Sequence, residues 1–227
     1  MKKLLKKLFK KLGFDKHLIK NSKQNSYVLS SKAYWEQRYM SNKTSGAGSY
    51  GILAEFKAEV LNHFVLEHQI EDVIELGCGD GHQLTLTKFP KYIGYDVSDK
   101  AIAMCQSLFK NDLSKQFYSM FDKTHQTKKA QLSLSLDVIY HLVEDDVFQT
   151  YMQRLFDAST QYVIIYSSNY DAFLARHVRC RKFTNWIEQY VSNDWELIDY
   201  IKNKFPFDVS NPNHTSMSDF YIYKKLD

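Results

Sequence analysis

The sequence predicts an α/β domain, a mainly parallel sheet covered by helices on both faces. Three observations lead there. Short aliphatic runs alternate with amphipathic stretches of helical period along most of the chain. The first run ends in ELGCGDG, residues 75–81, with glycines at alternate positions. A second run, KYIGYDVS, residues 91–98, places an acid, Asp96, about 20 residues beyond that turn.

The elements follow in order. MKKLLKKLFKKLGF (1–14) alternates lysine pairs with apolar pairs, so Leu4, Leu5, Leu8, Phe9 and Leu12 share one helical face. KNSKQNSYVLS (20–30) is a polar linker. AYWEQRYM (33–40) is helical, SNKTSGAGSYG (41–51) a loop, and ILAEFKAEVLNHFVLEHQ (52–69) a clear amphipathic helix. EDVIEL (71–76) is a strand ending at the glycine turn, after which GHQLTLTKF (81–89) is expected to open a helix. KYIGYDVS is the second strand, and DKAIAMCQSLFKN (99–111) a helix with Ser98 or Asp99 near its N-cap. SKQFYSMFD (114–122) is a third strand, and AQLSLSLDVIYHL (130–142) a fourth that runs into a loop. EDDVFQTYMQRLFDAS (144–159) is a helix with acids in its first turn, as the helix dipole favours. QYVIIYSSN (161–169) is a buried fifth strand. HVRCRKFTNWIEQYV (177–191) is a loop feeding a helix, and WELIDYIKNKF (195–205) and DFYIYKKL (219–226) are two closing strands.

Composition narrows the function classes. The chain has 227 residues and 44% hydrophobic content, enough for one domain with a full core. No apolar run approaches the roughly 18 residues of a membrane span. Three scattered cysteines suit neither a metal knuckle nor a disulfide framework, which points to a reducing cytoplasm. Residues 1–24 hold nine lysines and one acid, a balance of +8. The whole chain carries +4, so the remainder carries −4. The chain therefore divides into a basic amphipathic arm, residues 1–24, and a body, residues 25–227, which is not a broadly basic nucleic-acid binder. The arm suits an anionic membrane surface such as the inner membrane face; packing on the body or a partner is the equal alternative, and nucleic acid a third.

All but one of the eight glycines lie between Gly46 and Gly94, concentrated around one site. Gly77, Gly79 and Gly81 let a ligand approach the backbone, and an acid at the end of the next strand accepts hydrogen bonds from ribose hydroxyls. Loop and acid together indicate a ligand that bears a nucleoside. The spacing departs from the dinucleotide fingerprint, and no Gly-Lys-Ser or Gly-Lys-Thr follows for a nucleotide phosphate loop.

The pattern acid-x-Gly-x-Gly-x-Gly resembles the first motif of class I S-adenosylmethionine-dependent methyltransferases. GYDVS resembles their ribose-binding strand end, MFD (120–122) the segment near the adenine, LSLDVIYHL the fourth strand, and YVIIYSSN the fifth. The resemblance covers roughly residues 50–225. It implies a Rossmann-like, seven-stranded, mostly parallel sheet with the last strand antiparallel, and S-adenosyl-L-methionine as cofactor. It also implies roles. Glu75 lies near the cofactor's amino acid end, with Gly77, Cys78 and Gly79 beneath methionine and ribose. Asp96 holds the ribose hydroxyls and Val97 flanks the adenine. Phe121 packs on that ring, Asp122 meets its amine, and Asp137 lies near the sulfonium; an ordinary turn aspartate is the alternative at Asp122. YWEQRY resembles the cap helix of small-molecule members, making 31–51 a cap segment in which Arg38 pairs with the cofactor carboxylate; a solvent-facing arginine is the alternative. No metal site is expected.

The acceptor is less legible. A hydroxyl acceptor benefits from a general base, and His141, with neighbouring Tyr140, sits just past the fourth strand. A histidine that merely braces a loop is the alternative. An anionic acceptor needs cations, and Arg176, His177, Arg179 and Arg181 follow the fifth strand in quick succession; a solvated basic turn is the alternative there. DVIYHLVEDDVF with H-x-R-x-R-x-F-x-x-W resembles a bacterial subgroup associated with surface-polysaccharide clusters. The expectation is O-methylation of a polar or anionic small molecule or glycan. The competing readings are an RNA or protein methyltransferase whose arm grips a polyanion, and a non-catalytic binding module.

Overall fold

A computed structural model describes residues 30–122, 124 and 128–227. Five helices, α1 (Ser31–Met40), α2 (Gly51–Glu67), α3 (Asp99–Leu108), α4 (Asp145–Asp157) and α5 (Thr184–Tyr190), surround the sheets. The strands are β1 (Asp72–Leu76), β2 (Lys91–Asp96), β3 (Lys115–Ser119), β4 (Ala130–Leu136), β5 (Ser159–Ser167), β6 (Ala172–Ala175), β7 (Val178–Cys180), β8 (Trp195–Ile201) and β9 (Asp219–Lys225). The seven-stranded sheet runs β3-β2-β1-β4-β5-β9-β8. Its first five strands are parallel, and β9 is inserted antiparallel to both β5 and β8.

Strand period divides the core into two layers. Val73, Leu132, Leu134 and Ile164 face one side, where Leu61 and Phe64 of α2 pack. Their neighbours Ile74, Val163 and Ile165 face the other, where Met152 and Leu155 of α4 and Trp186 of α5 pack. Continuous aliphatic runs are what a parallel sheet covered on both faces requires. Strand order reverses between β1 and β4, so a crevice opens at their carboxyl ends.

Two elements differ from the sequence expectation. Residues 81–89 form no α-helix; a single 3₁₀ turn, Gln83–Leu86, precedes β2. Thr85 and Thr87 donate their hydroxyls back to His82 O (2.7 Å) and Leu84 O (3.0 Å), and Pro90 disfavours helical geometry at Phe89. Residues 172–180 form the β6–β7 hairpin, whose second strand takes up the start of the segment from 177 that was expected to be a loop. The predicted amphipathic helix of residues 1–24 lies outside the described residues. Among the described residues no helix is long and apolar enough to cross a membrane.

Candidate active site

A cavity of about 570 Å³ lies over the carboxyl ends of β1, β2 and β4, beneath α1 and the loop that follows it. Glu75, Gly77, Cys78, Gly79 and Asp96 line its floor. Gly77 N and Cys78 N both donate to Tyr95 O, at 2.7 and 3.0 Å, which ties the glycine turn to β2. At Gly79 φ is +58°, and an added Cβ would overlap Ser45 Oγ, so the cap loop rests directly on the turn.

Asp96 is buried, with Gly79 N donating to Oδ2 at 3.0 Å and Ser98 N to Oδ1 at 2.9 Å. Burial pushes its carboxyl up to about 6, against those backbone bonds, which favour the charged form. Glu75 is buried too and accepts from Tyr92 OH at 2.5 Å; burial pushes it up to about 7. Val97 and Phe121 line the same cavity, and Phe121 is half exposed with Lys32 Nζ 3.9 Å from its ring. Asp122 is not on the cavity wall; its Oδ1 accepts from Thr124 N at 2.9 Å.

Asp137, at the end of β4, adopts φ +60°, a conformation that is uncommon outside glycine. Its Oδ2 lies 2.8 Å from Lys57 Nζ, and its Oδ1 accepts from Tyr140 OH and Ser218 Oγ, each at 3.0 Å. The Tyr140 hydroxyl is thus engaged by Asp137, Tyr140 itself is not on the cavity wall, and burial holds its pKa well above the usual value. His141 lines the cavity. Its Nδ1 lies 2.8 Å from His177 O, and since a carbonyl only accepts, Nδ1 carries the proton and Nε2 is the acceptor. Burial pulls this imidazole down to about 4, so it is neutral at neutral pH. Trp35 meets its ring edge-on at 4.9 Å, and Tyr34 stacks on His177 at 4.2 Å.

The cationic candidates sit elsewhere. Arg38 donates Nε to Thr44 O at 2.6 Å and lies 5.6 Å from the Trp35 ring, off the cavity wall. Arg181 pairs with Asp145 at 2.6 Å and donates to Leu142 O and Val143 O; Arg179 reaches the same Asp145 at 3.0 Å and Val143 O at 2.9 Å. Arg176 is exposed, and neither it nor His177 lines the cavity.

Four further residues of the site take roles that the motif reading did not assign. Asp80 latches the cap: Ser45 N and Tyr50 OH donate to its Oδ2 at 2.8 and 2.9 Å, and its own N–H donates to Ser45 Oγ at 3.0 Å. His82 adds to the latch, donating Nδ1–H to Ser49 O at 2.8 Å and stacking on Tyr50. Lys57 and Gln83, both buried, line the wall beside Glu75. Lys57 had a sequence signal, because it shares the helical face of Ala54, Leu61 and Phe64, where a lysine is out of place. Gln83 had none. Among the described residues no His, Cys, Asp and Glu cluster could hold a metal ion.

No protein-family model and no curated protein matches the chain. Solved structures do. The N-methyltransferase NodS from Bradyrhizobium japonicum WM9, in complex with S-adenosyl-L-homocysteine, aligns over 87% of this chain and 100% of its own, with TM-score 0.66 and 12% identity. Magnesium protoporphyrin IX methyltransferase (ChlM) from Synechocystis PCC 6803, with bound SAM, aligns over 89% and 100%, with TM-score 0.62 and 14% identity. The methyltransferase domain of bacterial CtHen1-C aligns over 75% and 97%, with TM-score 0.57 and 17% identity. At these identities the likeness shows a shared fold, the Rossmann-like architecture of methyltransferases.

Proposed function

We propose that this chain transfers a methyl group from S-adenosylmethionine to a hydroxyl of a small polar acceptor, a sugar included. One observation carries the reading: a single cavity at the strand-order reversal joins a close-approach glycine turn to two buried carboxyl groups, Glu75 and Asp96. The volume suits a nucleoside-sized ligand, and buried carboxyls with raised pKa values are what a polar ligand would satisfy. The solved structures of NodS and ChlM hold S-adenosylhomocysteine and SAM on the same fold.

The cofactor, when bound, supplies an activated methyl group; the protein's task is position and exclusion of water. Asp96 would accept the two ribose hydroxyls. Val97 and Phe121 would flank the adenine. Asp137 would place negative charge beside the donor's cationic groups, and Glu75 a carboxyl that ionises near pH 7. The cap loop, latched through Asp80, shuts out bulk water. His141, on the cavity wall with its Nε2 unprotonated, would receive the proton of the acceptor hydroxyl. An anionic acceptor has less support, because Arg179 and Arg181 are engaged by Asp145 and backbone carbonyls.

Isothermal titration with S-adenosylhomocysteine tests the reading. Binding is expected, and Asp96→Asn should weaken it about 100-fold, from two lost charge-assisted bonds. Absence of binding by the folded wild-type chain would end the proposal.

A further inference from the structure

The cavity contains a cation and an acceptor that the reading above leaves unused. Lys57 is 1% exposed and projects from the apolar face of α2. Its ammonium has three donors, and Asp137 is its one hydrogen-bonding partner among the described residues. A buried ammonium with unfilled donors is costly unless something else meets them. Gln83 lies on the same wall. Its Nε2 donates to Ala54 O at 3.0 Å, which fixes the amide's orientation, since a carbonyl cannot donate. Its Oε1 is buried and has no partner among the described residues. Ala54 precedes Lys57 by three residues on α2, so the two groups gather on one turn of one helix.

A cation with spare donors beside an orphan acceptor fits a zwitterion. We infer that Lys57 and Gln83 together hold a free α-amino acid head group, Lys57 taking its carboxylate and Gln83 Oε1 its ammonium. The inference rests on the methyl-donor reading and refines it. It moves the carboxylate contact from Arg38, whose guanidinium is tied to Thr44 and Trp35, to a residue on the cavity wall. Glu75, on the same wall, adds a carboxyl near the ammonium.

The test compares two ligands on the full-length chain. S-adenosylhomocysteine carries the amino acid head; 5′-methylthioadenosine keeps nucleoside and thioether and lacks it. Wild-type protein should bind both, the first more tightly. Lys57→Met should weaken S-adenosylhomocysteine about 10- to 100-fold, and Gln83→Met about 5- to 10-fold, with methylthioadenosine changed less than about twofold in each. Lys57→Met leaves the half-buried Asp137 without its cation and can fail to fold. Gln83→Met keeps side-chain volume and then decides alone. Equal losses for both ligands, or no loss for either, would overturn the assignment while leaving the methyl-donor reading intact. Wild-type protein that binds neither ligand removes both.

Discussion

Gly79→Ala tests whether the cap loop rests on the glycine turn. The residue has φ +58°, where an L-side chain costs about 1 kcal/mol or somewhat more. A Cβ there would overlap Ser45 Oγ and stand 3.1 Å from Tyr39 OH. Ser45 must then leave, and its hydroxyl loses the bonds with Tyr39 OH (2.9 Å) and Asp80 N (3.0 Å). At about 1 kcal/mol each, those losses bring the total to ~3 kcal/mol. Gly51 supplies the control: its φ is +55°, yet a Cβ would meet nothing within 4 Å, so Gly51→Ala should cost only ~1 kcal/mol. Urea unfolding of the two variants measures the difference, which should be ~2 kcal/mol. Equal destabilisation would mean that the cap does not press on the turn and that strain alone governs both sites.

Three further outcomes follow from the same geometry. In nitrogen-15 spectra His141 should appear as the Nδ1–H tautomer and should not titrate between about pH 5 and 8, because burial holds it near 4; a midpoint near 6.5 would remove the buried, carbonyl-bonded imidazole. Arg181→Met should destabilise the fold by ~2–4 kcal/mol, since buried carbonyls lose donors, whereas Asp145→Asn should cost under about 1 kcal/mol because that carboxylate is largely exposed; urea midpoints that rank the other way would contradict the assigned bonds. Glu75, raised from its ordinary 4.5 to about 7, keeps its proton in the folded state while the unfolded chain gives it up. Its stabilising share is therefore complete below about pH 4.5 and lost as pH rises through 7. Glu75→Gln, whose amide oxygen can still accept from Tyr92, should gain on wild type over that window by roughly 3 kcal/mol; a pH-independent difference between the two would refute the burial of this carboxyl.

The central strands β1 and β5 were legible because they are buried on both faces and read as aliphatic runs between turn signals. The glycine turn and Asp96 were legible because one demands missing side chains and the other sits at a fixed place beyond it. Residues 81–89 misled because their helical pattern is only two turns long, and threonine hydroxyls with Pro90 outweigh it. The β6–β7 hairpin hid behind a run of basic residues that reads as a loop. The latch made by Asp80 and His82 was not legible because their partners, Ser45, Ser49 and Tyr50, lie thirty or more residues away. Lys57 was written into the helical period as a lysine among leucine and phenylalanine, a signal that only asks where its charge goes. Gln83 had no signal, since its meaning comes from Ala54 O on one side and an empty acceptor on the other.

The arginine segment shows why a charge pattern does not name a ligand. Its residues follow β5 and therefore overhang the cavity side of the sheet, as an anion clamp would. Yet Arg179 and Arg181 converge on Asp145, the first residue of α4, and on the carbonyls of Leu142 and Val143. Those carbonyls directly follow the 3₁₀ turn that carries His141, and His177 O from the same segment accepts the His141 Nδ1 proton. The segment thus grips the His141 turn at three successive positions. Its arginines brace that turn, and His177 O fixes one tautomer of the neutral imidazole, with Nε2 left as the acceptor. The proposed hydroxyl acceptor therefore gains from the residues that first suggested an anion clamp, because Arg179 and Arg181 are already engaged by Asp145 and backbone carbonyls.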